Sequence, residues 1–299
     1  MTLPGGARVA VVGDAMMDVS ARIDSDIAYA SDTPARITLQ PGGSGANTAA
    51  WIGSTGLAVS FVGAVGQDAF GRAISTHLAG HGVTCSIQEV VDEPTGTCIV
   101  IVDGGGERTM FPDPGANSYL TPETVRSALG KDVDHVHLSG YTLLNPASRA
   151  AGLAAIDTAR TQGVTLSLDP ASAGPLAACR ALVTEALARV DILLANAGEA
   201  AVLAGTDDAE RALDVLLEIV PLVVIKLGPR GAIAATRDQR VELPARPVDV
   251  IDTTGAGDAF AAGFLPAWLS GASLADAVSA ATSAAARAVG RVGAGPPSP

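Results

Sequence analysis

Positive charge is scarce in this chain. Its 299 residues carry 19 Lys and Arg against 31 Asp and Glu, a formal net charge of −12. Sequence-independent binding to nucleic acid or to an anionic membrane needs clustered Lys and Arg, so neither partner is expected. A phosphate ligand is not excluded, because backbone amides can hold one inside an acidic protein. Cysteine is equally sparse. Cys85, Cys98 and Cys179 are odd in number and widely spaced, which fits neither a zinc pattern nor a disulfide framework. No apolar run approaches a membrane span. The short run Val9 to Val12 is ended at once by Gly13-Asp14, so it reads as a strand and turn and not as a signal peptide. A cytoplasmic protein is the expectation. Also missing are a Gly-x-x-x-x-Gly-Lys-Ser/Thr loop, a complete Gly-x-Gly-x-x-Gly after the first strand, His-Glu-x-x-His and Gly-x-Ser-x-Gly. Their absence removes the P-loop, Rossmann dehydrogenase, zincin and α/β-hydrolase readings.

What is present can bury a large core, at 48% hydrophobic and 17% charged residues. After Pro122 strand patterns at 135–138, 164–168, 191–194 and 222–227 alternate with helical runs at 147–162, 176–188 and 209–219. That rhythm predicts βαβ units and a parallel sheet covered on both faces, with ligands beyond the carboxyl ends of the strands. Further helices are expected over 68–80, 258–269 and 274–289, and buried strands over 8–12 and 59–65. Two stretches break the rhythm. Residues 20–40 are polar with short alternating pieces, and Thr95 to Met110 reads as a hairpin turning at Asp103-Gly104-Gly105-Gly106. The expected architecture is one domain over 1–299: a three-layer α/β/α core with a mainly parallel sheet. A small β-sheet lid is expected from insertions at about 19–41 and 95–117.

The most informative stretch is Asp252-Thr253-Thr254-Gly255-Ala256-Gly257-Asp258, which runs into an alanine-rich helical pattern. Amides at a helix start, freed of side chains by two glycines, form a nest for an anion. Asp258 falls where that nest would hold a phosphate, an odd place for negative charge unless it handles a proton. A capped surface helix is the bland alternative. Other polar residues fall at or after strand ends: Asp18, Asp169-Pro170, Asn196-Ala197-Gly198-Glu199 and Lys226 with Gly228 and Gly231. Asn196 and Glu199 share a face at i, i+3 and suit a hydrated Mg²⁺, or else a capping box. Lys226 would meet a phosphate or pair on the surface. Gly228 and Gly231 would admit a nucleotide to the backbone or form a turn. Gly42-Gly43 would bring bare backbone to a ligand, with Asn47 pointing into the same space, unless it is a late cap. His77 and His81 read as a solvated helix face, and His135 and His137 as structural.

Gly42-Gly43-Ser44-Gly45-Ala46-Asn47 together with Asp252 to Asp258 resembles the paired signature of the ribokinase-like (PfkB) carbohydrate kinases, and the likeness extends over essentially the whole chain. It implies ATP-dependent phosphorylation of a sugar or nucleoside hydroxyl, and a lid that often serves as a dimer interface. By resemblance Asp258 is the general base, and the amides of Gly255, Ala256 and Gly257 are the anion hole. Asp18, Gly42, Gly43 and Asn47 match acceptor-binding positions. Asn196, Lys226, Gly228, Gly231 and Thr282 match the ATP side, with Glu199 reaching Mg²⁺ through water. Asp252 and Thr254, with main-chain groups near Val289, Val292 and Ala294, match a site for K⁺ or a similar ion. The chain departs from ribokinases at Ser44 (usually Lys) and at Ser139, near an acidic sugar ligand of theirs. It departs again at Ala171 (often Asn) and at Lys226 (often a hydroxyl residue). These departures set it apart from ribose as acceptor and leave kinase chemistry implied. A pentose or hexose is the expected acceptor. A nucleoside of the adenosine or pseudouridine type is the alternative, and a non-catalytic sugar- or nucleotide-binding protein stands behind both.

Overall fold

The computed structural model describes residues 6–103, 108–130 and 132–297. Its strands are β1 (Val9–Val12), β2 (Met16–Arg22), β3 (Arg36–Gly42), β4 (Val59–Gly66), β5 (Val83–Val90), β6 (Gly96–Val102) and β7 (Arg108–Asp113). They continue with β8 (His135–Ser139), β9 (Thr165–Asp169), β10 (Ile192–Asn196), β11 (Leu222–Lys226), β12 (Ala232–Ala235) and β13 (Arg240–Leu243). The helices are α1 (Ser44–Gly53), α2 (Ala69–Gly80), α3 (Pro122–Ala128), α4 (Tyr141–Leu144) and α5 (Arg149–Gln162). After them come α6 (Ala173–Leu187), α7 (Ala197–Ala204), α8 (Ala209–Leu217), α9 (Ala256–Leu269) and α10 (Leu274–Val289).

Nine strands form the main sheet in the order β13-β12-β11-β10-β9-β8-β1-β4-β5. It is parallel from β11 to β5, and β12 and β13 add antiparallel at one edge. β1, β10 and β11 are almost wholly Val, Leu, Ile and Ala because both of their faces are covered, while the equally buried β8 and β9 interleave His and Ser that bond one another. One apolar layer packs them against α3 to α8, the other against α1, α2, α9 and α10. The three-layer expectation therefore holds. Edge strand β5 escapes the sequence pattern: in Val-Thr-Cys-Ser-Ile-Gln-Glu-Val only Val83 is buried.

The lid is a second sheet of four strands, β3-β2-β6-β7. β2 pairs antiparallel with β3 and parallel with β6, which pairs antiparallel with β7. The lid strands begin at Met16 and end at Gly42, slightly outside the expected 19–41, so Asp18 lies on a lid strand and not in a loop after β1. The hairpin of β6 and β7 is present, while its expected turn at 103–106 falls largely outside the described residues. Where α1 meets the end of β1, the backbones touch: a Cβ on Gly45 would come within 2.6 Å of Gly13 Cα. That contact carries the start of α1 directly against the carboxyl end of the parallel sheet.

Candidate active site

The carboxyl ends of β1, β8, β9, β10 and β11 deliver Asp14, Ser139, Asp169, Asn196 and Lys226 to one edge of the sheet, under the lid. There Asp14, Asp169, Asn196 and Lys226 line, with the first turns of α1 and α9, a cleft of about 690 Å³, and Ser139 lies buried behind Asp14. Asp18 reaches it from β2, Asn47 from α1, and Gly255, Ala256, Gly257 and Asp258 from α9.

Gly255 is the N-cap of α9 in a left-handed conformation (φ 73°), and a Cβ there would lie 2.4 Å from the Ala294 carbonyl oxygen. Only glycine fits such a turn against backbone. Ala256 and Gly257 open the helix, where amides have no intrahelical acceptor; the Ala256 amide turns back to the Thr253 carbonyl at 3.3 Å. Asp258 is in the first turn. Its Oδ1 accepts from Ser44 Oγ at 2.8 Å and its Oδ2 from Asn47 Nδ2 at 3.2 Å. Burial pushes its carboxyl up to about 7, the Asp169 and Asp14 carboxylates push the same way, and the bonds from Ser44 and Asn47 oppose them.

Asp14 has no counterpart among the sequence candidates. It is buried, and its carboxylate accepts from Ser44 N (2.9 Å), Gly45 N (3.2 Å) and Ser139 Oγ (2.9 Å). Gly43, at φ 92°, turns the chain into this arrangement. Gly42 packs directly on Asp18, whose carboxylate would sit 2.3 Å from an added Cβ. Burial, then Asp14 and Asp252, push the Asp18 carboxyl up to about 7.

Across the cleft, Asn196 caps α7. Its side chain accepts from Glu199 N at 2.9 Å, and the Glu199 carboxylate accepts in turn from Asn196 N at 2.8 Å and from Asn196 Nδ2. The capping box is thus real, and it is set inside the cleft. Glu199 is buried, which raises its carboxyl to about 7; Asp169 adds to the rise, and Lys226 and the Asn196 amide oppose it. Lys226 does pair, but not at the surface. Its Nζ donates to Asp169 Oδ2 at 2.7 Å, with side-chain exposures of 13% and 9%. Burial works against the ammonium, yet Asp169, Glu199 and Asp258 together hold its pKa above the ordinary value. Nζ also lies 3.3 Å from where a Gly257 Cβ would be, so the cation borders the nest.

The remaining candidates lie around this centre. Gly228 and Gly231 flank the turn between β11 and β12, and Gly231 packs on the backbone of Leu243 to Ala245. Thr282 is buried on α10, bonded to the Ser279 carbonyl, and does not line the cleft. Asp252 accepts from Thr254 N at 2.7 Å and Gly293 N at 3.0 Å, which ties the loop before α9 to the segment after α10. At the end of α10 the Val289 carbonyl accepts from the Ile251 and Asp252 amides, and beyond it the Ala294 carbonyl accepts from Trp51 Nε1. Val292 is exposed. His77 and His81 are not a solvated face. His81 is buried, the rings meet edge to face at 4.7 Å, and Gly295 packs on His77, whose burial lowers its pKa to about 4. His135 and His137 are fully buried and share Ser167 Oγ at 2.8 Å each, in keeping with a structural role.

The residues present suit ATP with a hydrated Mg²⁺. Asp169, Asn196 and Glu199 offer hard oxygen donors beside a cation and a helix-start nest. Among the described residues no group of three or more His, Cys, Asp or Glu could hold a metal by itself.

The class is defined by a three-layer α/β fold in which a glycine-led helix start and a buried acid face a cleft under a small second sheet. The profile of the pfkB family carbohydrate kinases matches residues 7–299, and the chain belongs to that family. A fructokinase from Klebsiella pneumoniae is 32% identical over 268 residues, covering 86% of this chain and 83% of the relative. Adenosine kinase from Sinorhizobium meliloti superposes with TM-score 0.89 at 28% identity, covering 98% of this chain and 96% of that one. A putative ribokinase II from E. coli in complex with ATP and Mg²⁺ gives 0.87 at 26%, covering 97% and 94%. The chain is therefore a sugar or nucleoside kinase, and kinases of this family use ATP with Mg²⁺. Among the described residues no helix is long and apolar enough to cross a membrane.

Proposed function

We propose that this kinase transfers the γ-phosphoryl group of ATP to a hydroxyl of a free pentose or hexose, with Asp258 as general base. The observation that carries the reading is the position of Asp258, in the first turn of α9 beside the Gly255 to Gly257 amides and open to the same cleft as Asp18. The acceptor oxygen attacks the γ-phosphorus as the bond to the bridging oxygen of ADP breaks, and the hydroxyl proton passes to the Asp258 carboxylate. The Gly255 and Gly257 amides and Lys226 stabilise charge on the transferring group, the main catalytic need in phosphoryl transfer, and the Ala256 amide joins them by giving up its long bond to the Thr253 carbonyl. Asp18, Asn47 and the Gly42-Gly43 backbone take the acceptor hydroxyls. Asn196, Gly228 and Gly231 are assigned to the nucleotide side, and Thr282, buried in α10 and away from the cleft, is left out of it. Glu199 would hold Mg²⁺ through water, which supplies charge neutralisation on the phosphates.

A nucleoside is the second reading, favoured by the apolar wall of Met16, Cys98, Met110, Pro112 and Leu120, against which a base would lie. A panel of sugars and nucleosides in an ADP-release assay separates the two. Turnover with a free pentose or hexose is expected to exceed that with adenosine at least tenfold, and the reverse order would replace the sugar reading. A binding protein without catalysis has no use for Asp258 beside an anion nest, and a chain that turns over no acceptor would revive it.

Asp252, Thr254 and the carbonyls near Val289, Val292 and Ala294 are assigned to a monovalent cation such as K⁺. The Ala294 carbonyl keeps a second lone pair beyond the bond it accepts from Trp51, whereas the Val289 carbonyl already accepts from two amides and would have to release one to meet the ion. Such an ion would brace the segment on which Gly255 packs, so K⁺ should raise kcat severalfold over choline; equal rates would remove the site. The outer lid face exposes Ile37, Leu39, Ile99 and Phe111, apolar side chains suited to a second copy of the lid. Light scattering should give a dimer mass, and a monomer would discard that interface.

A further inference from the structure

We propose that Ser44 is a positioning residue for proton transfer, its hydroxyl holding one edge of Asp258 while the other edge is left to the acceptor. The inference rests on the reading of Asp258 as base. Both carboxylate oxygens are occupied here, Oδ1 by Ser44 Oγ at 2.8 Å and Oδ2 by Asn47 Nδ2 at 3.2 Å. Each oxygen keeps a second lone pair, so an incoming hydroxyl docks on the edge that is held more loosely. The longer bond, from Asn47, is the one to yield, and the two N–H groups of that amide let it serve the hydroxyls of the acceptor as well. Ser44 is pinned. Its amide donates to Asp14 Oδ2 at 2.9 Å and the next amide to Oδ1 at 3.2 Å, and Ser139 Oγ holds the same buried carboxylate at 2.9 Å. The first turn of α1 is thereby fixed to the ends of β1 and β8, with the Ser44 hydroxyl aimed across the cleft at α9.

The charges around Asp258 give that bond a consequence. Asp14 faces it from the end of β1, Asp169 from β9, Lys226 from β11 and the Tyr141 hydroxyl from α4. Burial and the two carboxylates favour the protonated acid, which cannot act as a base; Ser44 and Asn47 favour the ionised one. Once Asn47 has turned to the acceptor, Ser44 is the hydrogen-bond donor that still keeps Asp258 ionised.

The test is the pH profile of kcat/KM for Ser44→Ala and Ser44→Thr. A hydrogen bond to an ionised group is worth about one pH unit in the position of the acid limb. Ser44→Ala should move that limb up by about this amount, so that the ratio of parent to variant is about tenfold larger at pH 6 than at pH 9. Ser44→Thr, which keeps the hydroxyl, should return the limb toward the parent position. A merely structural role would lower kcat/KM by one factor at every pH, and a limb that stays in place in Ser44→Ala overturns the proposal. Asp18 and Glu199 also titrate near neutrality, but Ser44 touches neither, so a shift reports on Asp258. Should Ser44→Ala fail to fold, Ser44→Cys puts a weak donor at the same place, with an intermediate shift expected and an unmoved limb again fatal. Failure here and failure of the base assignment are distinct. If Asp258→Asn is inactive while the Ser44→Ala limb is unmoved, only this inference falls; if Asp258→Asn turns over like the parent, both fall.

Discussion

Asp258→Asn should lower the rate of phosphoryl transfer by about 10²–10⁴-fold, the span of a lost general base, while ATP affinity stays near that of the parent. The amide is nearly isosteric and keeps an acceptor for one of the two donors, Ser44 and Asn47, so the nest beside it should hold its shape. Asp258 titrates at about 7, raised first by burial, so the parent's rate should climb through that pH as the carboxylate forms. The residual rate of the variant should lack that limb. Stability should move the other way. The folded carboxyl binds its proton up to about pH 7 and the unfolded one only to about 4, so ionisation between those values costs the fold. The cost is fully present above pH 7 and absent below 4. At pH 8 the apo variant should therefore melt a few degrees above the parent, about 2–4 °C per kcal/mol relieved, and at pH 4 the difference should vanish. Single-turnover product formation and two melting curves check both halves. Parental turnover would refute the base assignment. Equal melting at pH 8 would refute the strain.

Much of the fold is legible because its central strands are buried on two faces and its helices keep an apolar stripe; Leu222–Lys226 and Ala209–Leu217 are both plain in the sequence. Edge strand Val83–Val90 is not, since an edge half in solvent carries Thr, Ser, Gln and Glu like any loop. In the site, the nest and its acid are legible because backbone geometry demands glycine at Gly255 and leaves a trace at a fixed offset. Asp14 is not legible. Gly13-Asp14 reads as a turn, and its carboxylate acquires meaning only when the amides of Ser44 and Gly45 arrive about 30 residues later. The same holds for Lys226, whose partner Asp169 is 57 residues away. His77 and His81 are misread for the same reason. The cover over His77 is Gly295, from the far end of the chain.

Lys226 separates the two readings left open by the sequence, a phosphate ligand or a structural pair. Lys226→Met should leave the Asp169 carboxylate in a largely buried place without its cation, and removing one partner of such a pair costs about 3–5 kcal/mol. Asp169→Asn added to it removes the stranded charge. Its remaining acceptor still serves Ala171 N, which Asp169 Oδ1 binds at 2.9 Å, so most of the stability should return. Turnover should not return with it. The ammonium carries three donors and spends one on Asp169 at 2.7 Å, which leaves others to face the nest at Gly257. Loss of a fixed cation at a transferring phosphoryl group costs about 10²–10³ in kcat, the scale of one preorganised electrostatic contact. Denaturant melts and ADP-release rates on the two single variants and the double variant decide the matter. A double variant restored in both stability and turnover would make Lys226 a structural partner of Asp169 and nothing more. Restored stability with turnover still down at least a hundredfold is the expected outcome, because the pair holds the ammonium at the border of the nest and the phosphoryl group would be its second partner.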